Sequence, residues 1–326
     1  MRDLAEQLSD ATLAYEPDSD LRQSGITEEA AHARSIALMK FLSKVAKKLR
    51  VDRHVYVVGG AVRDVVLDRP IKDIDVVIDP VALKGKDSAW FAKRLAREIP
   101  GRTSLVTNQY GVAILTVKGP WKLDGHDMVG KVIEIANSRA ESYGGAAGKG
   151  YKPTVVKPTG IKQDIYRREF TFNTLLLRMA DLAKGPDRRD ILDITGCGLR
   201  DLEKGEIRCP SDPDKTFSDD PTRMLRAIKF MNRYGFKVAP DVAASIRRNA
   251  TKLRNVPYEA VATLLVNTIL TEKKYKEALK TMDDLGLLDV LAGMIRDDAQ
   301  FRASMERWVG NRKVSFMFDL MDVGLS

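Results

Sequence analysis

The chain reads as an α+β protein: a head of mixed strands and helices, then an all-helical remainder. Three observations predict this. Short runs rich in Val and Ile recur between Val51 and Arg178, at Val55–Val58, Ile74–Ile78, Val112–Val117 and Val132–Ile135, as strands do. Between them Ser88–Glu98 has helical spacing and is stopped by Pro100-Gly101. From about Phe217 strand signals vanish, and Met224, Leu225, Ile228 and Met231 space like one helix face.

Taken in order, residues 1–50 form a helical extension. Its first part is polar; Thr27-Glu28-Glu29 is a helix start, and Ile36, Met39, Phe41, Leu42, Val45 and Leu49 give a face expected to pack on the following domain. Residues 51–180 form the head, 181–260 a neck, and 261–326 a helical body with a short tail. Val242–Arg254, Tyr258–Leu270 and Lys273–Leu285 are expected as helices, and no internal repeat stands out.

Composition excludes several classes. With 44% hydrophobic and 30% charged residues the 326-residue chain fits a soluble globular protein. It holds no apolar window of about 18 residues, so no membrane span is expected. The N-terminus lacks a signal-peptide core. Cys197 and Cys209 are too few for a disulfide framework or a zinc cluster, and a reducing cytoplasm is the simplest home. A net charge of +9 favours a polyanionic partner.

The most informative stretch is Val55-Tyr-Val-Val-Gly-Gly-Ala-Val-Arg-Asp64 followed by Asp73-Ile-Asp75-Val-Val-Ile78. It reads as strand, glycine turn, short helix and a second strand. With period two, Asp73 and Asp75 project from one face of that second strand and Ile74 and Val76 from the other. Two adjacent carboxylates repel and invite a divalent cation; magnesium prefers carboxylate oxygens together with substrate phosphates. Gly59 and Gly60 offer backbone N–H groups at a helix start, an anion site. Together these form a candidate metal-and-triphosphate site.

Gly59-Gly60-Ala-Val62-Arg63-Asp64 with Lys72-Asp73-Ile-Asp75 resembles the signature of class II tRNA nucleotidyltransferases and bacterial poly(A) polymerases, in the polymerase-β-like nucleotidyltransferase superfamily. Further blocks follow in the family's order. Arg139-Ala-Glu141-Ser-Tyr143 resembles its Arg-x-Glu-x-Tyr stretch, before a basic, glycine-rich loop with Lys149, Lys152 and Lys157. Arg167-Arg168-Glu169-Phe170-Thr171-Phe-Asn173 is similar to Arg-Arg-Asp-Phe-Thr-x-Asn, with Glu169 for Asp. Asp193 through Leu202 matches the next block loosely. Asp219-Asp220-Pro-Thr-Arg223 resembles Glu-Asp-x-x-Arg, with Asp219 for Glu.

The resemblance implies a polymerase-β-like head followed by a helical neck and body, and template-independent addition of nucleotides to an RNA 3′ end. It implies two magnesium ions held by Asp73, Asp75 and a third carboxylate on a neighbouring strand, for which Glu134 is the candidate. It places the triphosphate on Gly59, Gly60 and Arg63. Arg168, Asn173, Asp220 and Arg223 would recognise the nucleotide, ATP or CTP. Arg226, Lys229 and Arg233, part of a basic stripe continuing through Arg247, Arg248, Lys252 and Arg254, would contact RNA phosphates.

CCA addition to a tRNA 3′ end and poly(A) addition share these motifs. Arg254-Asn255-Val256-Pro257 and Asp220-Pro221-Thr-Arg-Met224-Leu225-Arg226 look somewhat like the poly(A) variant, and enzymes adding only CC or only A also occur in the family. A reading from another class is an RNA-binding module with a degenerate site, to which the presence of both aspartates is opposed. Two features are decoys. Gly144-Gly-Ala-Ala-Gly148-Lys149-Gly150 is one residue short of a P-loop and lacks its Ser or Thr. His126-Asp127 lacks the partner histidines of a phosphohydrolase, the chain having only His32, His54 and His126.

Overall fold

Val55–Val58 (β1) and Asp75–Ile78 (β2) lie near the middle of a seven-stranded sheet. The computed structural model describes residues 26–144, 151–265, 275–297 and 299. The expected loose segment at the N-terminus, much of the glycine-rich loop after Gly144, and the end of the helix expected over Tyr258–Leu270 lie outside these residues.

The chain divides into two units. The first takes in the residues up to Ala140, Val156–Arg168 and Phe172–Leu199; the second takes in Glu141–Val155, Glu169–Thr171 and the residues from Arg200 on.

In the first unit, β1 and β2 are joined by Thr103–Thr107 (β3), Ala113–Val117 (β4), Val132–Asn137 (β5), Leu176–Arg178 (β6) and Ile191–Leu192 (β7). The spatial order is β7-β6-β1-β2-β5-β4-β3. β2 and β5 run parallel, and β5 is inserted between β2 and β4. All four residues of β1 are buried, so Val and Tyr fill both faces without alternation, as for a covered strand. β4 keeps the alternation of a half-buried strand.

Helix α1 (Glu28–Lys48) starts where Thr27 accepts from the Ala30 N–H, carries Glu28 and Glu29 in its first turn and Lys47 and Lys48 in its last, and so suits the helix dipole at both ends. It buries Leu38, Met39, Leu42, Val45 and Ala46 within the first unit, where Ser43 Oγ donates to the Met179 carbonyl at 2.6 Å. This is the packing role expected of its apolar face. α2 is Gly60–Val66. α3 (Ser88–Glu98) is capped by Asp87, which accepts from the Trp90 N–H, and buries Phe91, Ala92 and Leu95. It ends where Ile99, ahead of Pro100, turns extended.

The short α4 (Ile161–Tyr166) carries Asp164, which has no solvent exposure and bonds Arg167 at 2.7 Å and Arg168 at 3.0 Å. It also accepts from the Arg139 N–H. Burial alone would raise the Asp164 carboxyl, but the two arginines and that N–H hold it at about 2. A depressed folded-state value means that its stabilisation is present above the ordinary carboxylate range and fades as pH falls toward 2. Asp164→Asn is expected to cost about 3 kcal/mol at neutral pH, since it strands two arginines. Urea unfolding at several pH values checks this: the gap to the wild type should narrow below about pH 4.

In the second unit, α5 (Gly198–Lys204), α6 (Pro213–Asp219), α7 (Thr222–Tyr234), α8 (Pro240–Asn249), α9 (Tyr258–Leu264), α10 (Tyr275–Asp284) and α11 (Leu287–Asp297) supply nearly all the structure. Glu206–Ile207 and Lys237–Val238 form a two-residue parallel pair, so this part is not wholly helical. α7 buries Met224, Leu225, Ile228 and Phe230 and ends at Gly235, whose φ of 72° is the left-handed conformation that glycine adopts without penalty. The Asp214 carboxylate ties α6 to α8 through Ser245 at 2.6 Å, Arg248 at 2.8 Å and Asn249 at 2.9 Å.

Candidate active site

Asp75 opens β2 and stands between two neighbours in register: Val58 on β1 and Glu134 on β5. Residues paired across parallel strands share a face, so the Asp75 and Glu134 carboxylates lie side by side. The turn after β1 passes directly over them. Gly59 has φ 69° and ψ −131°, and a Cβ built on it would lie 3.5 Å from Asp75 Oδ2. The glycine is thus required by its backbone conformation, while a Cβ there would make only ordinary van der Waals contact with the Asp75 carboxylate. Gly59→Ala is expected to cost about 1–3 kcal/mol through backbone strain. Thermal unfolding checks this.

Like charges crowd this strand end. The surrounding protein withholds solvent from Glu134, and Asp75 and Asp73 repel its charge, so its carboxyl is pushed up to about 7. The Asp75 side chain keeps access to solvent at the strand end. Even so, crowding by the protein raises its carboxyl, Arg168 and Arg63 pull it down, and Asp73 pushes it up.

Asp73 behaves differently. The ladder begins at Asp75, so Asp73 precedes the strand, although Asp73 and Asp75 are exposed and Ile74 and Val76 are buried. Lys131 Nζ donates to Asp73 Oδ1 at 3.3 Å and to the Lys72 carbonyl at 2.9 Å. Among the described residues no three His, Cys, Asp or Glu side chains form a set that could hold a metal ion as they stand. Asp75 and Glu134 stand paired in register, and Asp73, just before the strand, is engaged by Lys131. The pair's oxygen donors and mutual repulsion suit a hard divalent cation.

Arg63 is buried beside this pair; its Nε lies 3.2 Å from Asp64 Oδ1 and its Nη1 donates to Asn173 Oδ1 at 3.4 Å. Arg168 spans Asp164 and the Asn173 carbonyl, at 3.3 Å from the latter. Gly59, Gly60, Arg63, Arg168 and Asn173 thus gather in the first unit around Asp75.

Asp220 and Arg223 belong to the second unit. Asp220 Oδ1 accepts from the Thr222 N–H at 2.9 Å and from Thr222 Oγ1 at 2.6 Å, although the N-cap of α7 is Pro221 and carries no side-chain cap bond. Arg223 is buried. Its Nε lies 3.7 Å from Asp220 Oδ2, its Nη2 donates to the Tyr143 hydroxyl at 3.2 Å, and its Nη1 donates to the Thr216 carbonyl at 3.4 Å. The Tyr143 hydroxyl in turn donates to Glu141 at 2.7 Å. Burial and the Glu141 charge outweigh the pull of Arg223 and hold the Tyr143 phenol well above its ordinary range. Burial also pushes the Cys209 thiol up to about 12, which makes it a poor nucleophile.

The first part of the basic stripe is not wholly solvent-facing as its spacing predicts, whereas Arg247, Arg248 and Arg254 further along are exposed. Lys229 is 4% exposed, with its ammonium over the Phe230 ring. Arg226 is ion-paired with Glu169 at 2.7 Å. The helix turns this face inward because Phe230, with Phe170 edge-on at 5.8 Å, belongs to the core. Arg233 is partly accessible.

A family model described as the poly(A) polymerase head domain matches residues 55–208. One described as the probable RNA and SrmB-binding site of polymerase A matches residues 235–296. The chain belongs to the class II tRNA nucleotidyltransferase and bacterial poly(A) polymerase family.

Members of that family similar to this chain carry different specificities in their names. An A-adding tRNA nucleotidyltransferase from Geobacter sulfurreducens is 31% identical over 78% of this chain and 26% of its own length. Poly(A) polymerase I from Salmonella typhi is 30% identical over 62% and 39%. A solved CCA-adding enzyme in an apo form superposes with a TM-score of 0.61 at 29% identity, covering 85% of this chain and 57% of that one. The chain thus spans between a quarter and somewhat over half of the length of these family members.

Some residues at the family's site escaped sequence reasoning. Asp164 had a signal: Asp-x-x-Arg-Arg places both arginines within one helical turn of it. Lys131 had none, because its role depends on strand register. Tyr143 and Glu141 are part of a family block, but their hold on Arg223 depends on tertiary structure.

Proposed function

We propose that this chain is a template-independent RNA 3′-terminal nucleotidyltransferase acting on tRNA, adding CCA or part of it from CTP and ATP. The observation that carries the reading is the Asp75–Glu134 pair beside the Gly59 turn, two carboxylates held in register on adjacent strands whose repulsion helps push Glu134 up to about 7. The RNA 3′ oxygen forms a bond to the α-phosphorus, and the bond to the departing pyrophosphate breaks in line. Asp75, Glu134 and Asp73 would hold Mg²⁺, which when bound stabilises charge on the transferring phosphoryl group. Gly59, Gly60 and Arg63 bind the triphosphate, and Arg168 and Asn173 its sugar and phosphates. Asp220 and Arg223 present an acceptor and a forked donor to the base. Such catalysis is mostly positioning and electrostatics.

Of the basic stripe, Arg233 and the exposed Arg247, Arg248 and Arg254 are the better placed for RNA phosphates, since Arg226 is ion-paired with Glu169 and Lys229 is buried. No described helix is long and apolar enough to cross a membrane, and both cysteines are free, which suits a reducing cytoplasm. Poly(A) addition is the second reading, favoured by the poly(A) polymerase relative and the head-domain match.

The deciding assay uses tRNA transcripts ending before CCA, after C and after CC, with Mg²⁺ and with ATP and CTP singly and together. Addition that stops at CCA supports the first reading. Long A tails on any RNA select the second, and no incorporation refutes both.

A further inference from the structure

We propose that His32 and Ser35, on the helix that precedes the family-matched head, are positioning residues for Asp73. This rests on the metal-binding role proposed above for Asp73.

The argument starts from a gap in the sheet. β2 begins at Asp75, so no ladder hydrogen bonds fix the backbone at Asp73. Residues 71–73 are instead fastened from α1. The Ile71 N–H donates to His32 Nδ1 at 3.0 Å, and Ser35 Oγ donates to the Lys72 carbonyl at 3.0 Å. His32 and Ser35 are three residues apart and so share one helix face. Ser35 is fully buried, and Ile71 and Ile74 on either side of the segment are 1% and 4% exposed. The Lys72 carbonyl also receives Lys131 Nζ, the group that binds Asp73 Oδ1.

Two peptide units of this segment, 70–71 and 72–73, are therefore held by side chains from an element that itself carries no carboxylate of the site. A one-ångström drift of Asp73 would spoil a metal site, which is why groups supporting metal ligands matter about 10–100-fold in affinity or activity. The family-model match begins at residue 55, after α1. The surface ion pair between Glu28 and Lys72, at 2.8 Å with the glutamate 60% exposed, contributes little.

The test uses the full chain, with Mn²⁺ as the probe and three readouts: calorimetric Mn²⁺ binding, hydrogen exchange of the segment around residues 71–75 without metal, and single-nucleotide addition. His32→Leu and Ser35→Ala should weaken Mn²⁺ binding on the order of 10-fold and raise exchange in that segment. His32→Asn, whose Oδ1 can accept the same bond, should restore both. Glu28→Gln should match the wild type. If His32→Leu fails to fold, Ser35→Ala against Glu28→Gln decides. Variants that lose only melting temperature while binding Mn²⁺ as the wild type does would overturn the proposal and leave the enzymatic reading standing. A wild type that neither binds Mn²⁺ nor adds nucleotides would instead remove the function on which it rests.

Discussion

Asp75→Ala is expected to reduce nucleotide incorporation by about 10³-fold or more, equivalent to about 4 kcal/mol of transition-state stabilisation. The metal-free protein should nevertheless melt at the same temperature as the wild type, or higher. Both halves follow from one geometry. Asp75 sits between Val58 and Glu134, and its charge opposes that of Glu134. With no metal present, removing it relieves repulsion and ends a costly desolvation. A substitution that destroys activity while sparing stability is the signature of a functional carboxylate; a structural one would show the reverse. Parallel melting curves and primer-extension assays supply the comparison. A variant that keeps its activity, or that loses activity only by unfolding, would argue against the role.

Arg223→Lys is expected to cost little stability but to blunt base selection. Lysine keeps the positive charge near Asp220 and loses the planar fork that presents two parallel donors. A bidentate contact to a base edge is worth about 1–3 kcal/mol of discrimination, or about 10- to 100-fold. The preference for ATP and CTP over GTP and UTP, measured as ratios of kcat/KM, should fall by that factor. Arg223→Ala should behave differently. It leaves Asp220 and Glu141 without the guanidinium that offsets them in a buried setting, and about 3–5 kcal/mol of stability should go with it. An unchanged nucleotide preference in Arg223→Lys would show that the cluster has only a structural role.

Much of the head was legible because its signals are local. Val55–Val58 and Ser88–Glu98 emerge at their expected bounds, and Val112–Val117 is shorter by one residue. Other strands were not legible: Thr103–Thr107 is too polar to stand out, Leu176–Arg178 and Ile191–Leu192 are too short, and Lys237–Val238 exists only through its partner. Within the candidate site, sequence spacing was enough to single out Gly59 and Asp75, which lie in or beside strong strands, whereas Glu134 came from the family resemblance. It could not show that Asp73 lies outside the ladder on Lys131, because that pairing joins positions far apart in the chain. The first part of the basic stripe was misjudged for a similar reason. Periodicity identifies a helix face, but only packing decides whether that face meets water, and Lys229 faces the core.

The insertion of β5 between β2 and β4 has a consequence for assembly. Asp75 and Glu134 are about 60 residues apart, and everything from α3 to β4 is made between them. A growing chain emerging from the ribosome can pair β1 with β2 as a local hairpin. The acidic pair comes into being only after the whole excursion has been synthesised and β5 has slotted in parallel, a slow class of long-range closure. Chains cut short before residue 132 would therefore carry the glycine turn and both aspartates without a complete acidic pair, and fragments of that length should be inert toward RNA.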